Sequence, residues 1–250
     1  MRVFYTHGFG GSLAAQPEID EVFPRRGHEV LRVRVPFHEN PLALAARFAT
    51  MTFGDFCRLI DETAASILDR ARSFAPDEYA VIGDSLGGFI SLVAAERDPR
   101  ISHCVLLSSS GDIANAGLHL DRLLPGLGAL GGALNPASGG GLRVQSHKAI
   151  GGASDFQADF DRVNTFAPER LLRVRRLLVI CDRRDPVMPR DACVHLTGQI
   201  RGARAIFPCD HATHHTIGEQ ALERWVVPFL ENRPLTLGDR LACLLGRGAP

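Results

Sequence analysis

The sequence has no Cys-x-x-Cys pair, no apolar run long enough to cross a bilayer, and no excess of charge of either sign. The 28 basic and 28 acidic residues cancel among 250. A balanced chain gives no electrostatic reason to expect nucleic acid or an anionic membrane surface as a partner. Its apolar runs, such as 101–107, fall far short of a membrane span. The six cysteines, at 57, 104, 181, 193, 209 and 243, have no ligand-like spacing. A chain this long needs no disulfide staples, so they are expected as buried free thiols. No basic-then-apolar leader precedes the first strand run, and the expected compartment is the cytoplasm. No G-x-x-x-x-G-K-[ST] occurs, which removes the usual phosphate-cradling loop.

What the sequence does have is a hydrophobic fraction of 45% and a regular alternation of two patterns. Short β-branched and aromatic runs lie at 3–6, 29–35, 79–82, 102–107, 177–180 and 203–207. Most are apolar almost throughout, as strands covered on both faces must be. Between them lie helical patterns at 53–73, 86–97, 191–200 and 218–230. The first carries Phe56, Ile60, Ala64, Ile67 and Leu68 on one face, and Pro99 stops the second. Alternation of this kind predicts an α/β domain: a doubly wound, mostly parallel sheet of about six strands flanked by helices. The stretch 111–168 breaks the rhythm. It shows no strand pattern and is rich in glycine and leucine. A connection of that length is expected to have a job, so it is read as a cap or lid inserted into the core. The expected organisation is core at 1–110 and 169–232, cap at 111–168, and a tail at 233–250.

Chemistry concentrates at the ends of the strand runs. Residues 83–88 read Gly-Asp-Ser-Leu-Gly-Gly, after a strand and before a helix. A strand turning sharply into a helix strains its middle residue and needs small residues on either side. That is the physical content of G-x-S-x-G, and it makes Ser85 a candidate nucleophile. Gly88 is expected to let the helix approach the sheet. The embedded G-D-S-L string also marks a different esterase family. That family carries its serine near the N-terminus and adds a G-x-N-D block and a C-terminal D-x-x-H, none of which fits here. Residues 7–12, His-Gly-Phe-Gly-Gly-Ser, follow the first strand. Their glycines can turn backbone N–H groups toward a developing oxyanion. The expected donors are the amides of Phe9 and Leu86. As a dinucleotide loop this stretch fails, because Leu13 occupies the third glycine position and no acid ends the second strand.

Two further clusters follow later strands: Asp182-Arg-Arg-Asp185-Pro-Val-Met-Pro189, and Cys209-Asp-His211-Ala-Thr-His214-His215. Both lie at the carboxyl ends of strands, where a parallel sheet presents its chemistry. The order is Ser, Asp, His. With its oxyanion loop, elbow, acid loop and histidine loop in sequence, the chain resembles the α/β-hydrolase superfamily over residues 2 to about 231. The matched region begins at what would be the family's third strand. Asp182 and Asp210 stand where glycines are common.

The resemblance implies a Ser-His-Asp triad of Ser85, His211 and Asp185, the last because Pro189 follows it as in the family's D-x-x-x-P loop. Asp182 and Asp112 are alternative positions for the acid. His211 stands four residues past the last strand run, within easy reach of a neighbouring strand's edge. His214 and His215, nearer the next helix, are the alternatives. His7 is expected to be structural and His195 to face solvent. Cys181, Cys209, His211, His214 and His215 lack regular ligand spacing, so no metal and no cofactor is expected. The expected activity is hydrolysis of a carboxylic ester or thioester with an apolar group, through an acyl-enzyme. The expected partner is a small acyl substrate. Acyltransferases, lyases, cyclases and a few binding proteins use the same fold.

Overall fold

Every strand run read from the sequence is a strand in the computed structural model. The structure describes residues 1–8, 11–38, 53–111, 158–159, 161–164, 168–185, 188, 190–207 and 218–234. In order the elements are β1 (Arg2–Thr6), α1 (Glu18–Arg25), β2 (Glu29–Val33), α2 (Phe53–Ala71), β3 (Tyr79–Asp84) and α3 (Leu86–Arg97). Then come β4 (Ile101–Leu107), α4 (Pro168–Leu171), β5 (Leu177–Ile180), α5 (Arg190–Gln199) and β6 (Arg204–Ile206). The last helix runs from α6 (Glu219–Ala221) through a π-helical turn (Leu222–Val226) into α7 (Val227–Leu230). Helices α1 and α4 have no counterpart in the sequence reading, and β2 and β6 are shorter than their runs.

The six strands form one sheet in the order β2-β1-β3-β4-β5-β6. Each neighbouring pair is parallel. Side chains alternate across it and feed two cores. Phe4, Val81, Leu106 and Val179 point to one face, with Phe56, Ile60 and Ile67 of α2 and Leu92 of α3. Val3, Tyr5, Ile82, Val105 and Ile180 point to the other, with Ile19 and Phe23 of α1 and Trp225 and Phe229 of the last helix. Burial on both faces explains why the strand runs lack polar alternation. Helix α3 is buried at every position from Leu86 to Glu96. It lies between the sheet and α2, so an apolar surface all round is what its place demands.

Buried Glu96 on α3 accepts from Arg170 of α4 at 2.6 Å and pairs with Arg173 at 3.4 Å. Arg97 donates to the carbonyl of Arg162, and Arg58 of α2 pairs with Asp159. Val163 sits in the α2–α3 core. The described residues 158–159 and 161–164 are thus packed on the body of the domain. The rest of the expected cap, at 112–157, 160 and 165–167, and the tail from 235 onward lie outside the described residues.

Candidate active site

Chain direction across the sheet reverses at β1. One connection runs from β1 out to β2, and the later strands are added on the other side, beginning with β3. In open parallel sheets such a reversal leaves a crevice beyond the strand ends. Ser85 and the start of the glycine loop, at His7 and Gly8, lie there. Thr6 pairs with Gly83, so the chain leaving β1 at His7 runs beside the turn at Asp84 and Ser85.

Ser85 has φ 49° and ψ −110°. Side-chain-bearing residues seldom adopt this left-handed backbone, and holding one there costs about 1–3 kcal/mol. Two glycines make the turn sterically feasible. A Cβ on Gly83 would fall 1.9 Å from the carbonyl oxygen of Gly87. A Cβ on Gly87 would fall 2.1 Å from the carbonyl oxygen of Thr6. Two glycines share the close approach of helix to sheet: Gly87 faces β1, and Gly88, as expected, packs close at the exit of β4, where an added Cβ would stand 2.4 Å from Ser109 Cβ. Hydrogen bonds complete the turn: Ser85 N donates to Leu107 O at 2.8 Å, and Gly88 N donates to Ser85 O at 2.9 Å. Leu86 opens α3, where a backbone N–H has no acceptor within the helix. The helix dipole also favours negative charge at this end.

The start of the glycine loop is pinned by His7, which is buried. Its Nε2 accepts from Val35 N at 3.3 Å, so the ring proton is on Nδ1, which donates to Gly8 O at 2.9 Å. Gly11 N donates to the same oxygen at 3.1 Å. Burial pushes the His7 pKa below its ordinary value, and nearby His38 acts in the same direction. A neutral imidazole bonded on both nitrogens has a structural role, in agreement with the sequence reading. Phe9 lies outside the described residues. Beside this loop is a cavity of ≈ 260 Å³, bounded on its far side by the exit of β2.

Beyond β4 and β5 the strand exits continue the same edge. Ser108 N donates to Ile180 O at 2.8 Å, and Cys181 N to Ile206 O at 3.1 Å. The acid loop begins there. Asp182 is buried, and its Oδ1 accepts from Arg184 N at 2.9 Å. Asp185 is also buried, and its Oδ1 accepts from Met188 N at 2.9 Å. The described residues of this loop thus carry two buried carboxylates at the carboxyl edge of the sheet. Asp112, His211, His214 and His215 lie outside the described residues. His195 is exposed on α5 and bonds to Gln199 one turn on, as expected. Among the described residues no cluster of three His, Cys, Asp or Glu side chains could hold a metal ion. None of their helices is long and apolar enough to cross a membrane. Cys57, Cys104, Cys181 and Cys193 are free and buried.

Sequence reasoning missed residues 108–110, three serines buried at the exit of β4 between the elbow and the acid loop. Ser108 has φ 48°. Ser110 Oγ donates to Met188 Sδ at 3.6 Å, which ties this exit to the acid loop. The available signal was a run of serines ending in Gly111 directly after an apolar strand.

Solved structures share this fold. Est1E from Butyrivibrio proteoclasticus, with ferulic acid bound, matches with a TM-score of 0.62 over 93% of this chain and 88% of its own, at 16% identity. A lipase-esterase related protein from Clostridium acetobutylicum matches at 0.58 over 93% and 94%, with 14% identity. The chain has the α/β-hydrolase fold. Mouse alpha/beta hydrolase domain-containing protein 10 also matches, at 0.57 over 96% and 90%, with 13% identity. No protein-family model and no curated protein sequence matches this α/β-hydrolase-fold chain.

Proposed function

We propose that the protein is a serine hydrolase that cleaves a carboxylic ester or thioester through an acyl-enzyme. The observation that carries this reading is the strained backbone of Ser85, at φ 49° between two glycines with no room for a Cβ. Strain of this kind persists only where the surroundings enforce it, and it clusters at reactive positions. Ser85 Oγ attacks the substrate carbonyl. His211 takes its proton and later returns it to the leaving group, while Asp185 holds the imidazole in the required tautomer and stabilises its charge. The amides of Phe9 and Leu86 receive the oxyanion, aided by the N-terminus of α3. Water activated by His211 then releases the acid. In this reading, 1–110 and 169–232 form the catalytic body, and 111–168 form a cap whose leucines receive an apolar group.

A fluorophosphonate probe and a panel of p-nitrophenyl esters and acyl thioesters test the proposal. Wild-type protein is labelled and turns over at least one class, and Ser85→Ala abolishes both. Unchanged turnover in Ser85→Ala overturns it. Labelling without turnover moves the chain to transfer or lyase chemistry on the same fold.

A further inference from the structure

We propose that Cys181 and Cys193 are an oxidisable pair, which hydrogen peroxide closes into a disulfide that fastens the acid loop at both ends. The proposal stands apart from the reading of Ser85 as nucleophile.

The two sulfurs lie 3.2 Å apart and share a thiol hydrogen bond. Both side chains are buried, and both thiols are free. Cys181 is the first residue after β5, and Cys193 is the fourth residue of α5. Between them in the chain lie only the acid loop and the opening of α5. A bond joining the two sulfurs closes a ring of chain that contains both Asp182 and Asp185. Cys57 and Cys104 are buried as deeply, yet neither has a second sulfur within reach among the described residues. Burial alone thus does not distinguish Cys181 and Cys193, and their mutual approach does.

Closing the bond needs little movement. A disulfide spans about 2.05 Å, so the sulfurs must approach by roughly 1 Å more. The β5 side is held in place: Cys181 N donates to Ile206 O at 3.1 Å, and Cys181 Sγ lies 4.0 Å from Ser109 O. The α5 side can give. Cys193 and Leu196 face the core, while Val194 on the same helix is exposed. A surface helix packed along one face can settle inward without displacing a second layer.

The chemistry is selective for the pair. The hydrogen bond with Cys193 and burial hold the Cys181 thiol well above its ordinary pKa. Cys181 is therefore a poor nucleophile until α5 lifts and admits solvent. One thiol sulfur then attacks a peroxide oxygen. The O–O bond breaks, a sulfenic acid forms, and the departing oxygen leaves as water with the thiol's proton. The neighbouring sulfur attacks the sulfenic sulfur. The S–O bond breaks, the S–S bond forms, and a second water leaves with the second thiol's proton. The pair loses two electrons and the peroxide gains them. A small dithiol reverses the reaction by exchange.

Peptide mapping tests this. The full-length protein is reduced, freed of reductant, treated with hydrogen peroxide, and its remaining thiols are alkylated before digestion. The expected product is a linked pair of peptides carrying Cys181 and Cys193, lighter than their sum by two hydrogens and separated again by dithiothreitol. The oxidised protein should melt roughly 5–10 °C above the reduced one, since the ring restricts the unfolded chain. Amide hydrogens in 182–192 should exchange more slowly after oxidation. Cys193→Ser and Cys193→Ala should lose both responses. Intact thiols, sulfinic acids, or links to other cysteines at 181 and 193 overturn the proposal. Linkage without the rise in melting temperature, or without slower exchange in 182–192, overturns it as well. The mapping uses wild-type protein alone, so it decides the pairing even where a core substitution prevents folding.

Discussion

Gly87 lies so close to Thr6 that a single added carbon would stand 2.1 Å from the Thr6 carbonyl oxygen. The neighbour is backbone in a central strand, and it cannot step aside as a side chain can. Gly87→Ala is therefore expected to destabilise the fold by about 3 kcal/mol, at the upper end of overpacking costs. Urea unfolding measures it. A change below about 0.5 kcal/mol would mean that α3 and β1 can separate freely.

Ser85 carries strain that glycine does not feel. Ser85→Gly is expected to raise stability by about 1 kcal/mol while abolishing fluorophosphonate labelling. Thermal and urea unfolding of the variant beside Ser85→Ala, which keeps the Cβ, isolates the backbone contribution. Equal stability of the two variants would remove strain as the reason for the φ of 49°.

Asp182 and Asp185 share one turn, and single changes separate them. Asp185→Asn is expected to lower kcat by about 10³–10⁴-fold on the best ester, as loss of the orienting acid does in serine proteases. Asp182→Asn should cost far less. The histidine loop is resolved the same way, with His211→Ala losing orders of magnitude in kcat and His214→Ala or His215→Ala nearly active. Reversal of either ranking reassigns the acid or the base.

His7, His28 and His103 are held below their ordinary pKa of 6.5, each chiefly by burial. In the unfolded chain all three take up protons sooner as the pH falls. Their contribution to stability is therefore complete above about pH 6.5 and is lost below it, toward each folded-state pKa. Urea midpoints measured between pH 7.5 and 5 should fall steadily, and less steeply in His103→Gln. A midpoint that holds or rises over this range contradicts the sign.

The legible parts of the fold were those where neighbouring residues enforce one another. Strand β3, the elbow and α3 were readable because an apolar run, a glycine pair and an apolar helix pattern abut without a gap. Helix α1 was not. It is eight residues long, carries Pro24 inside its last turn, and offers only Ile19, Val22 and Phe23 as an apolar face. Its formation depends on the β2–β1–β3 face that those residues cover. The site divided along similar lines. The strained turn at Ser85 is specified by its immediate neighbours, so local sequence sufficed to place it. The choice among His211, His214 and His215 depends on where a loop returns across the sheet, and no local pattern fixes that. The cavity beside His7 escaped notice because its walls come from two strand exits that only the parallel pairing brings together.

The three links along the carboxyl edge of the sheet, Ser85 N to Leu107 O, Ser108 N to Ile180 O and Cys181 N to Ile206 O, use main-chain atoms alone. Any residue with an amide hydrogen could make them. Such an edge is heritable without being spelled out. Descendants can exchange nearly every side chain around it and still deliver the strand exits to the same points in space. Solved structures that match more than nine-tenths of this chain at 13–16% identity show how little of the side-chain sequence the fold requires. It also marks where drift must stop, at the few positions such as Gly83 and Gly87 where the backbone leaves no volume for a different residue.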